Sequence, residues 1–141
     1  MNCPLWLEVA FREVGVATNP QGSNNPRIME YHAITNNTGY DDKTPWCSSF
    51  VNWSLAQVGI QGTGSAQAKS WLEWGEALAQ PTVGCISVLW REDPLSWKGH
   101  VGFYLREDDE FVYLLGGNQI EQVREHSYPK VTVLGHRWPR L

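Results

Sequence analysis

The chain has 141 residues, of which 42% are hydrophobic and 18% charged, and this predicts one folded domain over residues 1–141. Its net charge is −4 and it has no run of Lys or Arg, which argues against nucleic acid or an anionic membrane surface as a partner. No window approaches the ~18 uninterrupted apolar residues of a membrane span. The opening stretch MNCPLWLEVAFREVG lacks a basic start, and charged residues interrupt it, so we predict synthesis in the cytoplasm without a signal peptide.

The first half of the chain is predicted to be helical. Apolar residues at helical spacing follow Pro4 and end at Gly15, and Pro26 opens a short second helix. A fourth helix is predicted over residues 66–78. Between the second and fourth helices, Thr44 is a good N-cap and a proline follows it, so a third helix is predicted to begin there.

The second half changes to runs of β-branched and aromatic residues, separated by glycine, proline and charged turns. The predicted strands are ISVLW (86–90), HVGFYL (100–105), FVYLL (111–115), QIEQV (119–123) and VTVLGHRW (131–138). Helices followed by such strands predict an α+β fold, with N-terminal helices packed on a C-terminal antiparallel sheet.

The three cysteines are an odd number and show no CxxC spacing, which argues against a disulfide framework and a structural zinc site. The histidines show no H-x-H or H-E-x-x-H spacing, so no metal or other cofactor is predicted. Inert packing is the default for a free cysteine, and we keep it for Cys3 and Cys85.

Cys47 has a different environment, because it is the third residue of the third predicted helix. The positive end of a helix favours the thiolate, which is the nucleophilic form of cysteine. The same helix end offers unpaired backbone N–H groups that can hold an oxyanion. Cys47 is therefore our candidate nucleophile.

A nucleophilic cysteine needs a base and a group that orients the base. His100 opens a predicted strand and follows a glycine, so it can face the helix end. Asn118 follows two glycines on the next strand, and we predict that it orients His100. Gln119 and Glu121 are the substitutes for this position. The default for Asn118 is an ordinary turn residue.

The segments PWCSSFVNW, GHVGFYL and GGNQ together resemble the NlpC-type and CHAP-type cysteine peptidases and amidases, and more narrowly the small phage- and secretion-associated peptidoglycan hydrolases. The segments NPRI (25–28) and RWP (137–139) extend this resemblance over nearly the whole chain. It implies a papain-like fold with Cys47 as nucleophile, His100 as base and Asn118 as the third residue. Two positions depart from the pattern: Trp46 stands where many relatives have Asp, and Gly84-Cys85 replaces a Gly-Asp pair.

The resemblance implies cleavage of an amide bond in peptidoglycan through an acyl-enzyme, by an amidase or a peptide-stem endopeptidase. Trp46, beside the nucleophile, and Trp97, before His100, are predicted to line the substrate cleft. Two alternatives remain open: an inactive module that binds cell wall, and an acyltransferase or deamidase on the same fold. Action in the periplasm or cell wall would require phage lysis or export, and a secreted effector would also need an immunity protein as partner.

Overall fold

The computed structural model describes residues 3–20, 23–35 and 41–140. Its three α-helices are α1 (Leu5–Phe11), α2 (Pro26–Ala33) and α3 (Cys47–Ala56). Two short 3₁₀ helices span Ala68–Glu73 and Lys130–Thr132. Among the residues described, no helix combines the length and hydropathy needed to cross a membrane.

The second half of the described chain forms an antiparallel sheet, as the sequence predicts, with six strands where five were predicted. The strands are β1 (Glu76–Ala77), β2 (Ile86–Trp90), β3 (Gly99–Glu107), β4 (Phe111–Gln119), β5 (Gln122–Pro129) and β6 (Val133–Trp138). Their order in the sheet is β1-β6-β2-β3-β4-β5. The central position of β3 places its first residues beside both β2 and β4.

The sheet is buried on both faces where its central strands lie. On one face, Phe50 and Leu55 of α3 belong to the main core together with Val88 and Phe103 of the sheet, all four fully buried. Alternate residues of β2 and β3 point to the opposite face, because side chains alternate along a strand. A smaller core lies there and contains Cys85, Leu89, Tyr104, Val112 and Leu114. The predicted α+β architecture is confirmed.

The segment that contains α1 is tied to distant parts of the sheet. The Trp6 indole N–H donates to the carbonyl of Gly84 at 2.8 Å. Farther along, the Gly15 N–H donates to the carbonyl of Val123 at 3.0 Å, and the Val123 N–H donates back to Val16 at 2.8 Å. The start of the chain therefore closes against strands that lie about 80 to 110 residues later in the sequence.

Three predicted element boundaries differ from the structure. Helix α3 begins at Cys47 with Trp46 as its N-cap, so Cys47 is the first helical residue and not the third. The predicted fourth helix is a single 3₁₀ segment, and Gly75, with φ of +63°, turns the chain into β1. Residues 119–123 do not form one strand. Gln119 ends β4 and Gln122 begins β5, and between them Ile120 and Glu121 make the turn with left-handed φ angles of 52° and 60°.

Candidate active site

Cys47 is the first residue of helix α3. Its side chain is buried, with 6% of the residue exposed, and burial raises the pKa of its thiol. The backbone N–H groups of Val101 and Ser48 act in the opposite direction on this pKa. Val101 directly follows His100, so the thiol lies against the start of β3. The first turn of α3 has N–H groups without helical acceptors, and these can stabilise negative charge on sulfur or on an adjacent oxygen.

Polar side chains on α3 fix the start of this helix against the loop that follows it. The buried Ser48 hydroxyl donates to the Ser65 carbonyl at 2.6 Å and accepts from the Trp71 indole N–H at 2.8 Å. One turn later, the Asn52 side chain accepts from the Gly64 N–H at 2.9 Å and donates to Ser65 at 3.1 Å. This network satisfies the buried side chains of Ser48 and Asn52 and fixes one wall beside Cys47.

His100 lies near the start of β3, opposite Leu89 of β2. Its Nε2 atom lies 2.8 Å from Oε1 of Gln119 and 3.1 Å from the hydroxyl of Tyr128. The Tyr128 ring also packs on the imidazole, with ring centroids 4.8 Å apart at an angle of 30°. The imidazole is therefore held by two side chains from β4 and β5, and only 6% of His100 is exposed.

The amide of Gln119 determines the tautomer of His100. Its Nε2 atom donates to the carbonyls of Leu114 at 3.1 Å and Arg124 at 2.5 Å, so Oε1 is the atom that faces the imidazole. An amide oxygen only accepts, and His100 must therefore donate from Nε2–H. The neutral ring then carries its lone pair on Nδ1, which leaves that nitrogen as the basic one.

Burial lowers the pKa of His100 to about 4, although its hydrogen bond to Gln119 acts in the opposite direction. The positive charge of Arg91 also lowers this pKa. With the pKa of Cys47 raised and that of His100 lowered, the pair is a neutral thiol and a neutral imidazole at pH 7. Such a pair can act through general-base removal of the thiol proton.

The two glycines of the GGNQ segment make room for different neighbours. A Cβ atom on Gly116 would lie 2.6 Å from Oε1 of Gln119, so this position must stay bare for the amide to reach His100. A Cβ atom on Gly117 would lie 2.7 Å from Cβ of Phe50 and 2.8 Å from the Trp46 ring. The first glycine thus admits the orienting amide, and the second admits α3.

Asn118, predicted to orient His100, does not occupy that position. The pairing of β4 with β5 slips between Gly116 and Gln119, and Asn118 takes a left-handed φ of 57° within this bulge. The bulge turns Asn118 outward, where it is half-buried and lines a cleft, while Gln119 is 1% exposed and bonds to His100. A bulge inserts one residue and changes which side chain faces inward, and this explains the one-residue error.

Two clefts meet at Cys47. The tryptophan cleft, of about 520 Å³, has Ala66, Ala68 and Trp97 among its lining residues. The histidine cleft, of about 640 Å³, is lined by His100, Asn118, Glu121, His126 and Tyr128 among others. Cys47 and Arg91 line both clefts, so a substrate extending in both directions would pass these two residues.

The two tryptophans predicted to line the cleft differ in position. Trp97 is 70% exposed and forms part of the wall of the tryptophan cleft. Trp46 is fully buried and stacks on Tyr31, with ring centroids 5.8 Å apart. The prediction for Trp46 is wrong, because as the N-cap of α3 it projects into the core beneath the helix.

Two residues beside the candidate nucleophile and base were missed at the sequence level. Tyr128 lies on β5, a strand whose residues after 123 had no predicted structure, so nothing indicated its contact with His100. Arg91 follows the last residue of β2, and no local pattern distinguishes it from an ordinary charged loop residue.

Solved structures with this fold give the first comparison with known proteins. A P60 domain of an antigen from M. avium subspecies paratuberculosis superposes with a TM-score of 0.59 at 14% identity, over 97% of this chain and 94% of that one. The chain has the papain-like α+β fold of NlpC/P60 proteins.

A protein of Staphylococcus aureus subsp. aureus Mu50, described as similar to lipoprotein and as NLP/P60 family, superposes with a TM-score of 0.58 at 14% identity. The match covers 97% of this chain, which spans 41% of that protein's length. No protein-family model matches the chain, and no curated protein matches it in sequence. The relationship to NlpC/P60 proteins therefore rests on the fold.

Proposed function

We propose that this protein is a cysteine-dependent amidohydrolase that cleaves an amide bond in peptidoglycan, with Cys47 as nucleophile, His100 as base and Gln119 as the residue that orients the base. The observation that carries the proposal is the arrangement of these three residues. The thiol lies at a helix start where two clefts meet, and an imidazole in the same cleft is held in one tautomer by a buried amide. The resemblance of PWCSSF, GHVGFYL and GGNQ to wall-cutting enzymes supports the choice of substrate.

In the proposed reaction, Nδ1 of His100 removes the proton from Cys47 as the sulfur attacks the scissile carbonyl. The tetrahedral oxyanion is stabilised by the backbone N–H of Cys47 and at least one further donor. His100 then protonates the leaving amine, and water hydrolyses the thioester with His100 again as base. Gln119 holds the ring, and its carbonyl stabilises the imidazolium formed during each proton transfer.

The position of His100 gives the two clefts different functions in this scheme. The leaving nitrogen must lie within reach of the imidazole that protonates it, so the amine side of the substrate occupies the histidine cleft. The acyl side then occupies the tryptophan cleft, where Trp97 provides an exposed aromatic wall. The peptidoglycan bond concerned is the lactyl–L-alanine link or a bond within the peptide stem or cross-bridge.

Digestion of purified peptidoglycan, followed by mass spectrometry of the new ends, tests the proposal. We expect new free amines and new carboxylates without new reducing sugar, and none of these with the Cys47→Ala variant. New reducing ends would indicate a glycosidase and would overturn the proposal. Binding without any product would favour the inactive wall-binding module.

Two parallel assays, with an added amine acceptor and with a protein substrate, separate the remaining alternatives. Transfer of the acyl group to an added amine would indicate an acyltransferase, and release of ammonia from protein glutamine would indicate a deamidase. For delivery, we propose action in the periplasm or cell wall after phage lysis or export. An exported effector would require an immunity protein that blocks the clefts beside Cys47.

A further inference from the structure

The positively charged side chains that line the two clefts differ in their partners. Lys43 pairs with the buried carboxylate of Asp42 at 2.9 Å, and Lys98 pairs with Glu92 at 3.2 Å. Arg91 has no ion pair and no side-chain hydrogen bond anywhere in the part of the chain that the structure describes. Its guanidinium therefore keeps its full capacity to bind an anion.

Although Arg91 is exposed, its backbone is fixed at the end of β2. Its N–H donates to the Lys98 carbonyl at 3.3 Å, and its own carbonyl accepts from the Asp93 N–H at 2.7 Å. The loop between β2 and β3 is closed further by Lys69, whose ammonium donates to the carbonyl of Pro94 at 3.0 Å. The loop thus presents the guanidinium from a defined point at the junction of the clefts.

Arg91 also lies close enough to the reacting pair to act on it electrostatically. Burial has the larger effect, raising the pKa of Cys47 and lowering that of His100, and the charge of Arg91 lowers both pKa values. A substrate bound in either cleft lies beside this charge, since Arg91 lines both, as does Glu92, whose carboxylate pairs with Lys98.

We propose that Arg91 is a specificity-determining residue that binds a free carboxylate of the substrate next to the scissile amide. The inference rests on the proposed function and deepens it, because it selects peptide substrates that carry a carboxylate at this position over their carboxamide forms. A guanidinium offers two parallel N–H donors that match the two oxygens of a carboxylate. An ammonium such as that of Lys43 supplies charge without this fork, and Lys43 is already paired.

The test uses two synthetic peptides with the same scissile amide, one with a free carboxylate beside it and the other with a carboxamide. For the wild-type protein we expect kcat/KM to favour the carboxylate by about 10- to 100-fold, the range for a charge-assisted pair. Arg91→Gln should reduce this preference to nearly one, and Arg91→Lys should retain part of it. Arg12→Gln, which removes the same charge far from the clefts, should keep the preference.

A second measurement separates carboxylate binding from activation of the thiol. Neutral iodoacetamide alkylates Cys47 without using a carboxylate site, and its rate is followed by mass spectrometry of the Cys47 peptide. Loss of preference by Arg91→Gln, with a smaller change in alkylation rate, supports the proposal. Equal slowing of both peptides and of alkylation would overturn it, because Arg91 would then act only on the thiol.

The wild-type control distinguishes failure of this inference from failure of the proposed function. If the wild type cleaves both peptides equally well, Arg91 does not select a carboxylate, and the proposed hydrolase function stands. If it cleaves neither peptide and leaves peptidoglycan intact, the proposed function itself is overturned, and the inference with it.

Discussion

Cys47 and Cys85 are both buried thiols, and burial raises the pKa of each. Cys85 Sγ lies 3.9 Å from Ser87 Oγ and 3.9 Å from His136 Nδ1, while those two atoms lie 2.9 Å from each other. This second group belongs to the smaller core, on the face of the sheet opposite α3. Cys85 lines neither of the two clefts that meet at Cys47.

The comparison shows which features distinguish a candidate nucleophile from a packed thiol. Burial and a raised thiol pKa are common to both cysteines. Cys47 alone begins a helix and opens onto the two clefts. The His136 nitrogen that lies near Cys85, Nδ1, is the one that bonds to Ser87, whereas Gln119 bonds Nε2 of His100 and leaves the lone pair of Nδ1 available. The candidate site is distinguished by clefts that reach the thiol and by a base held with one lone pair free, more than by the thiol itself.

The largest effect should separate the two cysteines. Cys47→Ala should lower peptidoglycan hydrolysis by at least about 10³-fold, because the nucleophile is lost. Cys85→Ala should keep activity within a few-fold and lower the free energy of unfolding by about 1 to 2 kcal/mol, since it leaves a small cavity. Turnover assays and urea denaturation measure the two effects. Full activity of a folded Cys47→Ala protein would contradict the mechanism.

The second effect concerns the residue that orients the base. Gln119→Ala should reduce kcat by about 10²-fold with little change in KM, because the amide holds the base and does not contact substrate. Asn118→Gly is the matched control, since glycine tolerates the left-handed backbone of the bulge. It should stay within about 3-fold of wild type. A severe Asn118 effect beside a silent Gln119 would show that the side chain facing His100 had been misassigned.

The pH dependence of kcat/KM should distinguish a buried neutral base from an ordinary histidine. Because the pKa of His100 is lowered to about 4, the imidazole stays neutral at pH 5, where a histidine of pKa 6.5 would be about 97% protonated. Activity at pH 5 should therefore exceed that expected for an ordinary histidine by about 30-fold. Gln119→Glu should raise the pH at which kcat/KM falls on the acidic side, because a carboxylate stabilises the imidazolium. An unshifted limb near pH 6.5 would contradict the burial argument.

The smallest expected effect is on how the free energy of unfolding depends on pH through His100 and His136. Burial lowers the pKa of both His100 and His136, so the unfolded chain binds more protons than the folded one below about pH 6.5. The free energy of unfolding should thus fall as pH decreases from 7 towards 4, by up to about 1.4 kcal/mol per pH unit for each histidine. His100→Gln should flatten this slope more than His136→Gln. Urea titrations at several pH values measure it, and identical slopes would show that His100 is not the more strongly shifted.

The parts of the fold that the sequence predicts are those with strong periodic signals. The helices before the sheet, most of the strands and the placement of Cys47 on a helix start follow from apolar spacing and from the change of period after Pro81. The helix start itself was two residues early, because Thr44 and Pro45 have the chemistry of a cap. In the structure the chain turns at Trp46 instead, whose ring fills the core.

The parts that could not be predicted depend on tertiary contacts. Strict alternation along β4 would place Asn118 on the His100 side, and only the bulge between Gly116 and Gln119 reverses this. At this bulge, Gly116 leaves room for the amide of Gln119 and Gly117 leaves room for α3. A sequence shows the two glycines, but it does not show which neighbour each of them admits. Arg91 likewise becomes notable only once its cleft and its lack of a partner are visible.

The ties between the first helix and the sheet have a consequence for how the chain is made. The indole of Trp6 hydrogen-bonds to Gly84. The backbone of Gly15 and Val16 bonds to Val123, which is synthesised more than one hundred residues later. At about 5 to 20 residues per second, the N-terminal helix spends several seconds without its native partners. Closing such long loops is slow compared with forming local helices, so these contacts form only after Val123 has been synthesised.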